Sequence, residues 1–508
     1  MNGDKSTIVH IVRDSLPMTP SFSGSVLPAI RWSVACTIFC ASQAAIVPAQ
    51  VPVPPPLHKP GTFELLRYDE NWSFLQNPAN RSDWLDPIKY IPFGRGGDFS
   101  YVSIGGEFRG VEERIRNDNW GGTPYPSNQF WLQRFQLHFD THFNARLRFF
   151  IQFESGLEEG RAGGPRPIDE KRLDFLNAFC DLGIGSSSHP VTLRVGRQEF
   201  LFGAGRLVAP REGPNVRQSF YGVSLMQNLG SWSTNAFAAR PAVDNFDFFN
   251  DVPNHLTEFW GLFAARSWSK VSRNVWDVYY YGLDRKSGVY NARAAHEVRQ
   301  TVGTRIASHD PASTEGRVAI PHFDVEGVYQ FGSFGAGDIR AWTLATEFGF
   351  ILPKIAFEPR PGIRSDVSSG DNNLSSLNLQ TFNPLFPVGN YFGVLSDTGP
   401  GAVNFRDLHP NLKLFFPHKV NAEADWLIWW RQSLADGVYG VPGNLLVPGG
   451  RSSARFVGDR PGLEVHWQMT RHAYLQGDYG IFYAGRFLQQ SGYSHNLNYT
   501  SVWIGYKF

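Results

Sequence analysis

Between Gln129 and Leu157 the chain alternates apolar and polar residues through two long runs joined by a few turn residues. In the first run Trp131, Phe135, Leu137, Phe139 and Phe143 share one parity, and Arg134, Gln136, His138, Asp140 and His142 share the other. In the second, Leu147, Phe149, Ile151, Phe153 and Leu157 oppose Arg146, Arg148, Gln152 and Glu154. Period 2 is the signature of a strand with two unlike faces. Soluble strands usually run about 5–6 residues, whereas each of these runs for about 11, the length a tilted strand needs to cross a bilayer. The spacing therefore predicts a transmembrane β-hairpin turning at Phe143-Asn144-Ala145, with the ionised face toward water and the aromatic face toward lipid.

Composition agrees with a large aqueous barrel. With 15% aromatic residues, 51 Gly and 42% hydrophobic residues, the chain is rich in strand and turn formers. It is too polar for a helical membrane protein, and no window holds the roughly 18–20 uninterrupted apolar residues of a spanning helix. A formal net charge of +1 gives no basic field of the kind that collects nucleic acid. Among the 47 basic residues, 37 are Arg and 10 are Lys. Arg stays charged and grips carboxylates bidentately, which suits a lumen that handles anions and equally suits internal Arg–carboxylate pairing. Of the three cysteines, Cys36 and Cys40 fall in a segment expected to be removed. Cys180 alone then remains, so no disulfide is expected.

Residues 1–45 read as an export signal: Arg31 precedes an apolar run from Trp32 to Phe39, and Ala41-Ser42-Gln43-Ala44-Ala45 offers small residues for cleavage. Residues 46–97 read as a Pro-rich linker followed by a short periplasmic segment, Arg67 to Pro92, lying against the barrel mouth. From residue 98 to 508 we expect one antiparallel up-and-down transmembrane β-barrel. Strands are expected near 172–182, 190–202, 219–228, 231–240, 255–268, 273–284, 298–307, 322–332 and 337–351. Further strands follow at 421–432, 462–470, 472–482 and 496–508, with the register obscure just beyond 351. Short turns alternate with long loops, and the chain closes on Phe508, with Tyr506, Ile504 and Val502 on the same face. A terminal aromatic on an alternating strand is an end that outer-membrane assembly machinery reads.

Several blocks resemble the alginate export family of outer-membrane porins: DPIKYIP from Asp86 to Pro92, IGGEFR from Ile104 to Arg109, and LRVGRQE from Leu193 to Glu199. The same holds for Gly203, Gly205-Arg206-Leu207-Val208, REGPNVRQSFYGV from Arg211 to Val223, Ser369-Gly370-Asp371, TFNPLFPVGNYF from Thr381 to Phe392, and Asp407-Leu408-His409-Pro410. The resemblance covers residues 65–508. It implies an 18-stranded barrel in the outer membrane, an Arg-rich constriction and passage of anionic polysaccharide. The pattern breaks at Tyr221, where it implies an acid.

Parity and clustering give the candidate pore-lining, anion-binding set. Arg109, Arg134, Arg146, Arg148 and Glu154 come from the opening strands, and Arg194 from the strand at 190–202. Arg197, Arg206, Arg211 and Arg217 crowd a Gly- and Pro-rich stretch in which alternation fails, and which is therefore expected to fold back into the pore. The competing reading of each is a structural ion pair, for instance with Glu199 or Glu212. His138 and His142, about 13 Å apart along one strand, cannot share a metal. Asp366, Asp371 and Asn372 could together hold Ca²⁺. We expect a passive porin for anionic solutes with no cofactor and no catalysis. The expected partners are the solute, outer-membrane lipid and assembly machinery. An outer-membrane lipid hydrolase and a non-transporting structural barrel are the alternatives.

Overall fold

The computed structural model describes residues 60–94, 100–185, 190–267, 274–308, 314–389 and 399–508. The expected export signal, residues 1–45, lies outside the described residues. Among the described residues eighteen long strands form the barrel. The first six are β1 (Tyr101–Arg116), β2 (Ser127–Asn144), β3 (Leu147–Glu159), β4 (Lys171–Ile184), β5 (Val191–Gln198) and β6 (Phe220–Leu229). Next come β7 (Trp232–Val243), β8 (Thr257–Ser267), β9 (Val275–Tyr290), β10 (Arg293–Ala307), β11 (Ile320–Phe334) and β12 (Gly337–Ile351). The last six are β13 (Arg360–Ser368), β14 (Phe405–Phe416), β15 (Val420–Arg431), β16 (Phe456–Gln468), β17 (Ala473–Ala484) and β18 (Leu497–Lys507). Each pairs antiparallel with the next, and β1 pairs with β18 from Glu107↔Lys507 to Arg116↔Asn498. Closure removes both sheet edges. Phe508 completes the seam, exchanging backbone hydrogen bonds of 2.8 and 3.0 Å with Gly106.

The opening hairpin has the expected faces. Phe135 and Phe149 are 45% and 40% exposed on the outside, while Arg134, Gln136, Gln152 and Glu154 are fully buried inside. Its turn sits one residue later than expected, at Ala145 and Arg146. The cause is Asn144, whose Oδ1 accepts from the backbone N–H of Arg146 (2.7 Å) and Leu147 (3.0 Å) as an Asx turn. Arg146 is therefore an exposed tip residue and not, as parity suggested, part of the lumen row.

Connections at the end that carries both barrel termini are mostly short, such as 145–146, 230–231, 417–419 and 469–472. At the other end they are mostly long: 160–170, 199–219, 244–256, 369–404 and 432–455. Two tight turns interrupt that rule, Asn291–Ala292 and Gly335–Ala336. Asn291 and Ala292 have φ of 45° and 64°, the paired left-handed conformation that suits hairpin twist. Strands β13 and β14 were not anticipated. Pro361 and Pro410 lie within them, residues that argue against a central strand when read from sequence, although the register runs unshifted from Arg360↔Lys413 to Ser368↔Phe405.

The interior is largely filled. Residues 61–93 fold inside the short-turn mouth, where Leu66 and Tyr68 pack on the inward Phe150 and Phe179. Trp72, Leu75 and Tyr90 pack on Tyr101. A short helix, α1 (Asp86–Lys89), brings Lys89 to Gly105, where the space of a missing side chain is occupied by its Nζ and the His138 ring. Burial pushes the Lys89 ammonium down to about 7, with Arg67 and Arg471 adding to the effect and Glu70 and Asp86 opposing it. From the other end, loops 199–219 and 369–389 turn inward. Phe200, Phe202, Phe382 and Phe386 build an apolar core against Phe237, Phe259, Tyr279 and Tyr281.

Candidate functional site in the barrel lumen

The Arg-dense stretch does fold into the barrel, and a carboxylate stands at its centre. Glu212 forms ion pairs with Arg134, with Arg217 (3.3 Å) and with Arg109 (3.6 Å). Arg109 also donates to the Glu212 and Pro214 carbonyls at 2.6 and 3.2 Å, fixing the loop to β1. Arg217 pairs with Glu199 at 2.9 Å and donates to the Leu65 carbonyl at 3.0 Å, joining this loop to the segment in the mouth. Glu154 accepts from the Arg217 backbone N–H (3.2 Å) and from Gln136 Nε2 (2.8 Å). Desolvated guanidinium groups need such partners, because a buried unpaired charge costs several kcal/mol (~3–5).

The other expected residues are likewise engaged. Arg148 donates to Asp140 (2.6 Å) and to the Tyr68 carbonyl (2.6 Å), and lies 3.5 Å from Asp181. Arg194 holds Asp181 through two bonds of 2.7 and 2.9 Å and lies over the Phe179 ring. Arg197 meets Asp251 (2.8 Å) and Asp174 (3.4 Å), and it donates to the Tyr221 hydroxyl at 3.1 Å. The acid that the resemblance implied at Tyr221 is thus supplied by the loop after β7. Arg206 reaches Glu326 (2.8 Å) and Asp324 (3.1 Å) on β11. Arg211 is half-buried with a left-handed φ of 59°. Asp366 lies on β13 and Asp371 in the following loop, and among the described residues no three His, Cys, Asp or Glu converge as metal ligands do.

Among the described residues two cavities bear on the site. One, of about 640 Å³, lies at the short-turn mouth between the inserted segment and the wall, lined by Tyr68, Arg146, Arg148, Asp181 and Arg194 among others. The other, of about 550 Å³, lies between the lumen faces of β16–β18, the mouth segment at Gly61, Phe63 and Leu65, and Glu212 and Gly213 of the inward loop. Lys419, Arg471 and Lys507 border it near the short turns, His466, Tyr474 and Gln476 lie farther in, and Glu464 and Asp478 sit beyond them. Carboxylates, amides and aromatic rings around a water-sized path can hydrogen-bond and stack against hydroxyl-rich solutes. These residues escaped the sequence reading because clustered Arg drew attention elsewhere. The alternation of Glu464, His466 and Gln468 with Leu463, Val465 and Trp467 was the available signal.

The sequence profile of the alginate export family matches residues 100–501, most of the barrel. Among curated proteins none matches the chain. OccAB1 of Acinetobacter baumannii shares the fold at a TM-score of 0.56 and 11% identity, over 83% of this chain and 99% of that one. A BenF-like porin from Pseudomonas fluorescens Pf-5 gives 0.54 and 11%, over 80% and 98%. OccK5 of Pseudomonas aeruginosa gives 0.50 and 12%, over 80% and 98%. No described helix is long and apolar enough to cross a membrane. With its closed eighteen-stranded barrel and a profile match over four-fifths of its length, the chain belongs to the alginate export family and is a channel-type barrel of the Gram-negative outer membrane.

Proposed function

We propose that this barrel is a passive channel for hydrophilic anionic solutes, with uronate-bearing oligosaccharides and polysaccharides as the leading class. The observation that carries the reading is where uncompensated cations lie. Arg146 beside one cavity, and Lys419 and Lys507 beside the other, have no ion-pair partner among the described residues. All three sit at the short-turn end, the periplasmic side of an outer-membrane barrel. Cations at a water-filled entrance raise the local concentration of carboxylates there. The buried arginines Arg109, Arg134, Arg194, Arg197 and Arg217 contribute by holding the wall and inward loops in shape. Arg148, Arg206 and Arg211, partly exposed to the lumen, add to the positive lining.

In this reading residues 1–45 are the removable export signal, residues 46–97 the linker and mouth segment, and residues 98–508 the barrel. The strand ending at Phe508 is what the assembly machinery recognises. The test is the zero-current potential of purified protein in a planar bilayer under a salt gradient. Anion preference with dose-dependent block by polyuronate supports the reading. A cation-preferring channel indifferent to polyuronate contradicts the solute class, and a barrel with no conductance contradicts the channel.

A further inference from the structure

Three consecutive strands place carboxylates side by side on the lumen face. Glu423 on β15 is the register partner of Glu464 on β16, which is in turn the partner of Asp478 on β17. Like charges directly opposite repel, so each should have a compensating group nearby. Glu423 has two, Lys413 at 3.7 Å and Arg364 at 3.9 Å. Asp478 accepts from Ser501 Oγ at 2.6 Å and from Gln476 Nε2 at 3.0 Å. Glu464 has neither a hydrogen bond nor an ion pair among the described residues, and it borders the 550 Å³ cavity. Beside it His466, which borders the same cavity, stacks on Tyr474, their centroids 5.8 Å apart.

We propose that Glu464 is the specificity-determining residue of the conducting path, and that this path runs along β16–β18, with Glu212 and Gly213 of the Arg-dense stretch bordering it on the opposite side. The assignment rests on the channel reading above and deepens it. An ionised carboxylate beside the path repels each passing anion in proportion to its charge. Compact multiply charged anions are therefore disfavoured relative to solutes that space single carboxylates along a hydroxyl-rich chain. The cations Lys419, Arg471 and Lys507 at the entrance attract both kinds, and Glu464 separates them.

The experiment compares zero-current potentials of the full-length exported protein and its Glu464→Gln variant in potassium chloride and potassium citrate gradients at pH 8. Heat-modifiable gel migration serves as the assembly check. Loss of one charge a few ångströms from the path should raise chloride-over-potassium permeability about two- to fivefold, and citrate permeability by more. Glu464→Lys should move both further in the same direction. Because Glu464 supports no other side chain, both variants should assemble. A conducting parent whose ratios are unchanged in either assembled variant overturns this assignment alone. A parent that carries no current overturns the channel reading and this assignment with it.

Discussion

Strands β2–β5 and strands β16–β18 alternate alike, and their lumen faces end in different states. Around β2–β5 the inward side chains meet the mouth segment and the loop 199–219, so that Arg134, Gln152 and Glu154 are wholly buried. Along β16–β18 the inward side chains Glu464, His466 and Gln476 border open volume. At mid-barrel the Arg-dense stretch fills the space against β2–β5, whereas nearer the short-turn mouth Arg148 and Arg194 still border the 640 Å³ cavity. A guanidinium removed from water demands carboxylates and carbonyls, which the loops supply, whereas a face left in water can remain sparsely charged.

The filled side should be broken most severely by Glu212→Ala, which leaves Arg109, Arg134 and Arg217 facing one another without their shared acid. The expected cost is about 3–5 kcal/mol, read as a lowered urea midpoint and loss of heat-modifiable migration. The outer faces of the two regions, by contrast, should behave alike. Phe149→Arg on β3 and Val465→Arg on β16 should each cost about 2–4 kcal/mol if they lie near mid-bilayer, measured by reversible unfolding in lipid. Unequal costs would show that the two walls differ in membrane depth as well as in filling.

A smaller, pH-dependent effect is expected at the mouth segment. Lys89 is pushed down to about 7 by burial, against an ordinary value near 10.5. Between those values the unfolded chain binds a proton that the folded chain does not, so stability should rise with pH through that window. Below about pH 7 both states are protonated and the slope should vanish. Lys89→Met should remove the rise, as followed by hydrogen exchange of residues 61–93. The smallest effect belongs to Arg146→Ser at the exposed hairpin tip. Stability should change by under about 0.5 kcal/mol, with a modest fall in anion preference in the bilayer.

Much of the fold was legible because alternation is local. The two faces of the opening hairpin, closure on Phe508 and the order of short and long connections all follow from period 2 and turn residues. What escaped was non-local or interrupted. The Asx turn at Asn144 moved Arg146 out of the lumen row, and prolines hid β13 and β14. The mouth segment left a trace that parity alone discounts, aromatic Phe150 and Phe179 on an otherwise polar face. The near partners of the arginines were legible, since Glu199 and Glu212 do pair with Arg217, but the distant ones were not: Arg206 meets Asp324 and Glu326 more than 100 positions away. For the quieter residues of the cavity only the alternation of β16 could be read, because their importance comes from what fails to cover them.

The contrast between the two walls is tested most directly by paired thiol accessibility. Gln152→Cys on β3 and Gln476→Cys on β17, each in a Cys180→Ser background, place one thiol on each lumen face. The folded protein in detergent is exposed to a small, membrane-impermeant, charged thiol reagent, and modification is followed by mass. Position 476 should react at least about tenfold faster than position 152, because Gln152 is buried between Gln136 and Asn177 and Gln476 borders the cavity. Equal rates, or faster reaction at position 152, would contradict a lumen filled at mid-barrel along β2–β4 and open along β16–β18.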